Sequence, residues 1–112
     1  MTDEELKEYN KLSQNGKDAY NTGMRIHPEW SHKQAMTYAT IVIMTQDTPL
    51  PPGPNPITLK EIYKKIIIKA QQFIQKDFPR IYQQVKDYFV QAIDWLTNAV
   101  NVTLNRIIDF FK

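Results

Sequence analysis

From Thr58 to Lys112, half of the chain, apolar residues recur at helical spacing, and only Phe78-Pro79 interrupts the pattern. An unbroken helix of that length would reach roughly 80 Å at 1.5 Å of rise per residue, more than a small core requires. The pattern therefore predicts a long amphipathic arm and a partly extended protein. Proline can open a new helix at its first position or kink a continuing one. A reversal of direction usually uses a few turn residues, often glycine, and none stands here. A kinked or offset rod, bent or broken near Pro79, is the expectation.

Before the proline, Leu59, Ile62, Tyr63, Ile66, Ile67, Ala70, Phe73 and Ile74 fall in one arc at about 100° per residue, with Lys60, Lys64, Lys65, Lys69 and Lys76 opposite. Thr58 and Glu61 have the spacing of a capping box, and Ile57 and Ile62 that of its hydrophobic staple. Ile68 breaks the pattern by projecting among the lysines. After the proline, Ile81, Tyr82, Val85, Phe89, Ala92, Ile93, Leu96, Ala99, Val100, Leu104, Ile107 and Phe111 continue the apolar face over 79–111. Val90, Trp95, Val102 and Ile108 lie outside that arc, and the polar strip thins to uncharged residues such as Gln91, Asn98, Asn101 and Asn105. One neighbouring helix cannot cover so wide an apolar surface. Ile68, Val90, Trp95, Val102, Ile108, Phe110 and Phe111 are accordingly the expected partner-binding residues.

Upstream, Thr48 to Pro56 holds five prolines, which donate no backbone hydrogen bonds and favour extended polyproline geometry. This segment reads as a semi-rigid spacer. Ahead of it stand three short helical patterns. Thr2 and Glu5 form a capping box for the first, and Asn15-Gly16 is expected to end it. A second covers Lys17 to about Arg25. His27-Pro28 leaves the helix, and Ser31 with Gln34 opens a third, with Trp30 placed to staple its first turn. Ala35, Met36, Ala39, Val42 and Ile43, widened by Ile41 and Met44, predict burial of the third helix on more than one side. The reading is thus all-α: a three-helix unit at 1–45, a proline-rich linker at 46–57, and a helical arm at 58–112.

Chemistry adds constraints. The chain has no cysteine, which excludes disulfides, thiolate metal sites and cysteine nucleophiles. His27, Glu29 and His32 straddle a proline and a helix start, so they lack the paired-histidine geometry of a helical zinc motif, and no metal or cofactor is expected. With three glycines there is no phosphate-cradling loop, and Asp87 and Asp94 have no convergent partners in the pattern, so enzymatic activity is not expected. The acidic opening residues lack the basic flank and apolar run of a secretory signal, and Asn101-Val102-Thr103 is then a chance sequon. No window offers the roughly 20 uninterrupted apolar residues of a membrane span. The chain reads as cytoplasmic or as part of a viral particle.

Three functions fit these features. The favoured one is a structural or interaction protein whose C-terminal helices assemble with copies of itself or with a larger complex. A second reads residues 17–45 as a DNA-binding helix-turn-helix with His32, Lys33 and Gln34 on the recognition helix. Residues 1–45 carry five Lys/Arg against six Asp/Glu, however, whereas 59–112 carry nine against five, so the basic character lies outside that unit. The third is association of the amphipathic helices with a membrane surface.

Overall fold

In the computed structural model, which describes residues 1–112, each helix but one begins where a side chain can take free backbone amides. Thr2 Oγ1 accepts from the Glu5 amide at 3.1 Å while Glu5 Oε1 accepts from the Thr2 amide at 2.9 Å, closing the expected capping box of α1 (Asp3–Asn10). The second of these bonds, from the Thr2 backbone amide to the carboxylate, holds the Glu5 carboxyl below the usual range. Ser13 caps α2 (Gln14–Ile26). Gln34 Oε1 returns to the Ser31 amide at 2.8 Å to open α3 (His32–Gln46). Asn55 caps α4 (Pro56–Asp77), α5 spans Pro79–Asn98, and Thr103 caps α6 (Leu104–Phe110).

The chain is all-α, as the periodicity predicts. Three boundaries differ from the sequence reading. Asn15-Gly16 does not end the first helix: the Gly16 amide donates to Ser13 Oγ at 3.2 Å, and both residues lie in the first turn of α2. Gly16 serves packing instead, since a Cβ there would stand 2.9 Å from Ile43 Cδ1. The start of α4 falls ahead of Thr58, because Asn55 accepts from the Thr58 amide at 2.8 Å and Pro56 occupies the first turn, a pairing stronger than a threonine cap two residues inside a proline. Ile57 is consequently 75 % exposed rather than stapled. Downstream, the helix expected over 79–111 stops at Asn98, Ala99 is extended, and α6 starts afresh behind Thr103.

The arm breaks at Phe78-Pro79 as expected, and its two parts then fold onto each other. Laid end to end, α4 and α5 would span roughly 60 Å, yet the longest dimension of the molecule is 44 Å. Lys60 Nζ near the start of α4 reaches the Thr97 carbonyl near the end of α5, as only an antiparallel hairpin allows. The reversal takes one residue, Phe78, which ends α4 and precedes α5. At φ −135° and ψ 63° the corner needs no glycine; the buried Phe78 ring anchors it to the core, while Pro79 sets the geometry of the next first turn. Ile66, Ile67, Ala70 and Ile74 thereby face the same interior as Ile81, Val85, Phe89, Ala92 and Leu96.

Residues from both sides of the proline-rich segment enter one core, so the molecule is not extended: its radius of gyration is 13.7 Å, close to the roughly 13 Å of a compact chain this long. Helix α3 lies at its centre, with Ala35, Met36, Ala39 and Ile41 fully buried. Buried threonines are tolerated there because Thr37 and Thr40 return their hydroxyls to the carbonyls four residues back, at 2.7 and 2.8 Å. The short α1 closes the corner of the hairpin. Lys11 Nζ donates to the Asp77 carbonyl at 2.7 Å and stands 5.2 Å from the centre of the Phe78 ring.

Candidate functional site

The main polar cluster ties α1, α2, α3 and α5 together. Glu8 is buried, and its carboxylate accepts from Arg80 Nε at 3.0 Å, from the Arg80 terminal nitrogen, and from His32 Nε2 at 3.0 Å. His32 Nδ1 lies 2.9 Å from the Tyr20 hydroxyl. An ionised carboxylate only accepts, so Nε2 carries the proton, and in the neutral imidazole Nδ1 then accepts from the phenol. These bonds hold the pKa of Arg80 above its ordinary value. Burial, followed by the nearby charges of Glu5, Tyr9 and Glu8, pushes the Tyr20 phenol up to about 12. The order carboxylate, imidazole, hydroxyl resembles a nucleophile-activating relay, but a phenol this reluctant to ionise is a poor nucleophile.

The remaining ionisable residues singled out in the sequence are dispersed. His27 Nδ1 pairs with Glu29 Oε1 at 3.2 Å, while His32 is engaged with Glu8 and Tyr20, so the two histidines do not converge. A hydrogen bond from its own backbone amide, then the His27 contact, lowers the pKa of Glu29. No group of three or more His, Asp or Glu side chains has the spacing of a metal site. Of the residues assigned to base contacts, His32 is buried in the polar cluster and Gln34 engages Ser31 and the Phe111 carbonyl, while Lys33 is half-buried. Along α3 Gln46 is exposed, and Lys33, Gln34, Tyr38 and residues 42–45 are half-buried.

Of the seven residues expected to bind a partner, several are covered by the chain itself. Helix α6 runs back against α5 and the start of α3, burying Ile108 and Phe111, and Gln34 Nε2 donates to the Phe111 carbonyl at 3.3 Å. Phe111 packs on Phe89 with ring centres 5.3 Å apart. Trp95 stacks on Phe110 at 5.8 Å beneath the Arg106 guanidinium, and Val102 is half-buried against the core. Ile68 is half-exposed among lysines and joins no core contact, and Val90 is 52 % exposed. The apolar excess read as needing an outside partner is thus largely met within the chain by α6. The break that permits this follows the uncharged run around Asn98 and Asn101.

The two most exposed large apolar side chains, Val100 and Ile57, stand at the open end of the hairpin, opposite Phe78, while Met1, Leu6, Ile26, Leu50 and Val90 are also exposed. Val100 is 95 % exposed, and Ile57 projects from the first turn of α4. Between the helices lies a groove of about 260 Å³ lined by Ile57, Lys60, Glu61, Lys64, Leu96 and Thr97. Two stretches without any charged residue, Thr48–Leu59 and Trp95–Asn105, meet at this end. Sequence reasoning missed Ile57 by assigning it to a staple and missed Val100 by placing it on a continuous helix. The absence of charge from both stretches was the available signal.

Comparison with family models, curated proteins and solved structures finds no match for this chain. No helix is long and apolar enough to cross a membrane.

Proposed function

We propose that this is a non-enzymatic interaction protein that assembles with copies of itself through the open end of the α4/α5 hairpin. The observation that carries the reading is the convergence there of two uncharged stretches, in a chain whose residues are 23 % charged. The centre of a protein interface is depleted in charge, because each charge buried without a partner must be stripped of water. The shape of this end supports self-recognition. A protruding side chain, Val100, stands at the same end as a groove whose apolar lining is Ile57 and Leu96 and whose other lining residues are Lys60, Glu61, Lys64 and Thr97. A twofold axis through that end sets each protomer's knob opposite its partner's groove, as a self-complementary interface requires. Lys60 is already engaged by the Thr97 carbonyl, so its ammonium is not stranded when the end is covered. Trp95 and Val102, half-exposed on the second uncharged stretch, extend the apolar surface and keep the C-terminal helices as the assembling part.

The non-enzymatic part rests on the polar cluster. Glu8 is occupied by Arg80 and His32, and Tyr20 keeps its proton, so the groups best suited to chemistry are committed to one another. The mass of the protein in solution, and its response to charge placed at Ile57 and Val100, tests the assembly.

A further inference from the structure

The sequence reads alike in both directions from Val100. Leu96, Ile93 and Phe89 precede it at the same distances at which Leu104, Ile107 and Phe111 follow it, leucine matched by leucine, isoleucine by isoleucine and phenylalanine by phenylalanine. The steps are of three or four residues throughout, so in one continuous helix all of these side chains fall within about 40° of Val100 on either side. Such a seam packs against a second helix. The folded chain interrupts it at its centre. Ala99 is extended at φ −75° and ψ 136°, α6 starts afresh at Leu104, and Val100 is left 95 % exposed.

Within one chain the two halves of the seam meet by folding back. Phe111 packs on Phe89 with ring centres 5.3 Å apart, Phe110 stacks on Trp95 at 5.8 Å, and Ile107 is fully buried. What joins the halves is slight: residues 99–103 lie outside any helix, and Val100, Asn101 and Thr103 are exposed. Helix α6 itself has seven residues, too few to persist without packing. Its fresh start depends on Thr103, whose Oγ1 accepts from the Arg106 amide at 3.3 Å.

We propose that two copies of the chain exchange α6. Residues 99–103 straighten, α5 and α6 become one helix, and two such helices pack antiparallel about a twofold axis at Val100. Phe89 of each copy then meets the partner's Phe111, and Val100 meets the partner's Val100. The contacts that close α6 onto α5 in one chain are remade between copies, so the exchange keeps the packing of α6. It adds helical hydrogen bonds across the hinge and a cover for Val100, the one member of the seam that the closed chain leaves in water. This inference rests on the reading that copies meet at the open end of the hairpin, because the two hinges come together only there.

The test uses equal amounts of carbon-13-labelled and unlabelled full-length protein, unfolded and refolded together, at a concentration where light scattering shows the dimer. Isotope-filtered nuclear Overhauser effects are expected between Phe89 of one copy and Phe111 of the other. Contact between folded surfaces alone cannot give them, since both rings are buried within the closed chain. Thr103→Ala provides a second measure. It removes a cap that α6 needs only while it starts afresh, so it should tighten dimerisation about fivefold or more. A dimer whose Phe89–Phe111 effects all arise within one chain overturns the exchange and leaves assembly through the open end standing. So does a Thr103→Ala protein that dimerises no better than wild type. A monomer at every concentration overturns both.

Discussion

Arg80 of α5 donates through Nε to the carboxylate of Glu8 on α1 at 3.0 Å, joining residues 72 positions apart. The two partners are not equally committed. The Arg80 side chain is 41 % exposed and can turn to water, whereas Glu8 and His32 are both buried. Glu8→Ala should cost about 2–3 kcal/mol, because it strands the Nε2–H of His32, and Arg80→Ala at least as much, because it leaves the buried Glu8 carboxylate with His32 as its one remaining donor. Urea unfolding at neutral pH measures both. A loss of a few tenths of a kcal/mol for Arg80→Ala would show that water replaces the guanidinium at Glu8.

Tyr20 governs the alkaline limit. Its folded pKa is raised from an ordinary value of 10.0 to about 12, so the folded state holds the phenol proton more tightly than the unfolded chain. The associated stability is complete below pH 10 and is lost as pH rises toward 12. Unfolding free energy should fall across that window in the wild type and more shallowly in Tyr20→Phe. The phenolate ultraviolet absorbance of the variant should lack the most alkaline part of the titration.

Gly23→Ala tests close approach against helix propensity. Alanine is the better helix former by about 1 kcal/mol, but its methyl group would stand 2.6 Å from Tyr38 Cδ1. Net destabilisation of about 1–3 kcal/mol is expected, as for other overpacked sites. Loss of the near-ultraviolet dichroism of Trp30 should accompany it. A stabilised variant would mean that Trp30 and Tyr38 are free to move aside.

The start of α4 offers a local check. Asn55 is its cap and Thr58 lies inside the helix, donating through Oγ1 to Asn55 Oδ1 at 3.0 Å. Asn55→Ala should lower stability by about 1 kcal/mol and Thr58→Ala by only a few tenths. Thermal unfolding of the two variants decides between this cap and the capping box that Thr58 and Glu61 suggest.

The boundaries show why some of the fold was legible and some was not. Helix content, the Thr2–Glu5 box and the break at Phe78-Pro79 depend on neighbouring residues, and periodicity and capping chemistry report those directly. The hairpin was hidden because its corner is made by burying Phe78, an effect of the completed core and not of turn-forming residues. The same applies to α6. Ile108 and Phe111 resembled an exposed excess until the break at Ala99–Thr103 let them fold back beside Trp30 and Phe89. In the polar cluster, Glu8 and Arg80 carry no local pattern that pairs them, so only tertiary packing brings them together. At the open end, Ile57 lies inside α4 because the cap is Asn55, three residues ahead of Thr58, and Val100 lies in the break after Asn98 and not on a continuous helix.

Light scattering coupled to size separation, across a micromolar concentration series, tests the central claim most directly. The monomer mass is 13.2 kDa. Wild-type protein should rise toward twice that mass with concentration, and Ile57→Lys with Val100→Lys should return it to the monomer while leaving helix content unchanged. A wild-type mass of 13.2 kDa at every concentration, or a dimer indifferent to both substitutions, would contradict assembly through the open end of the hairpin.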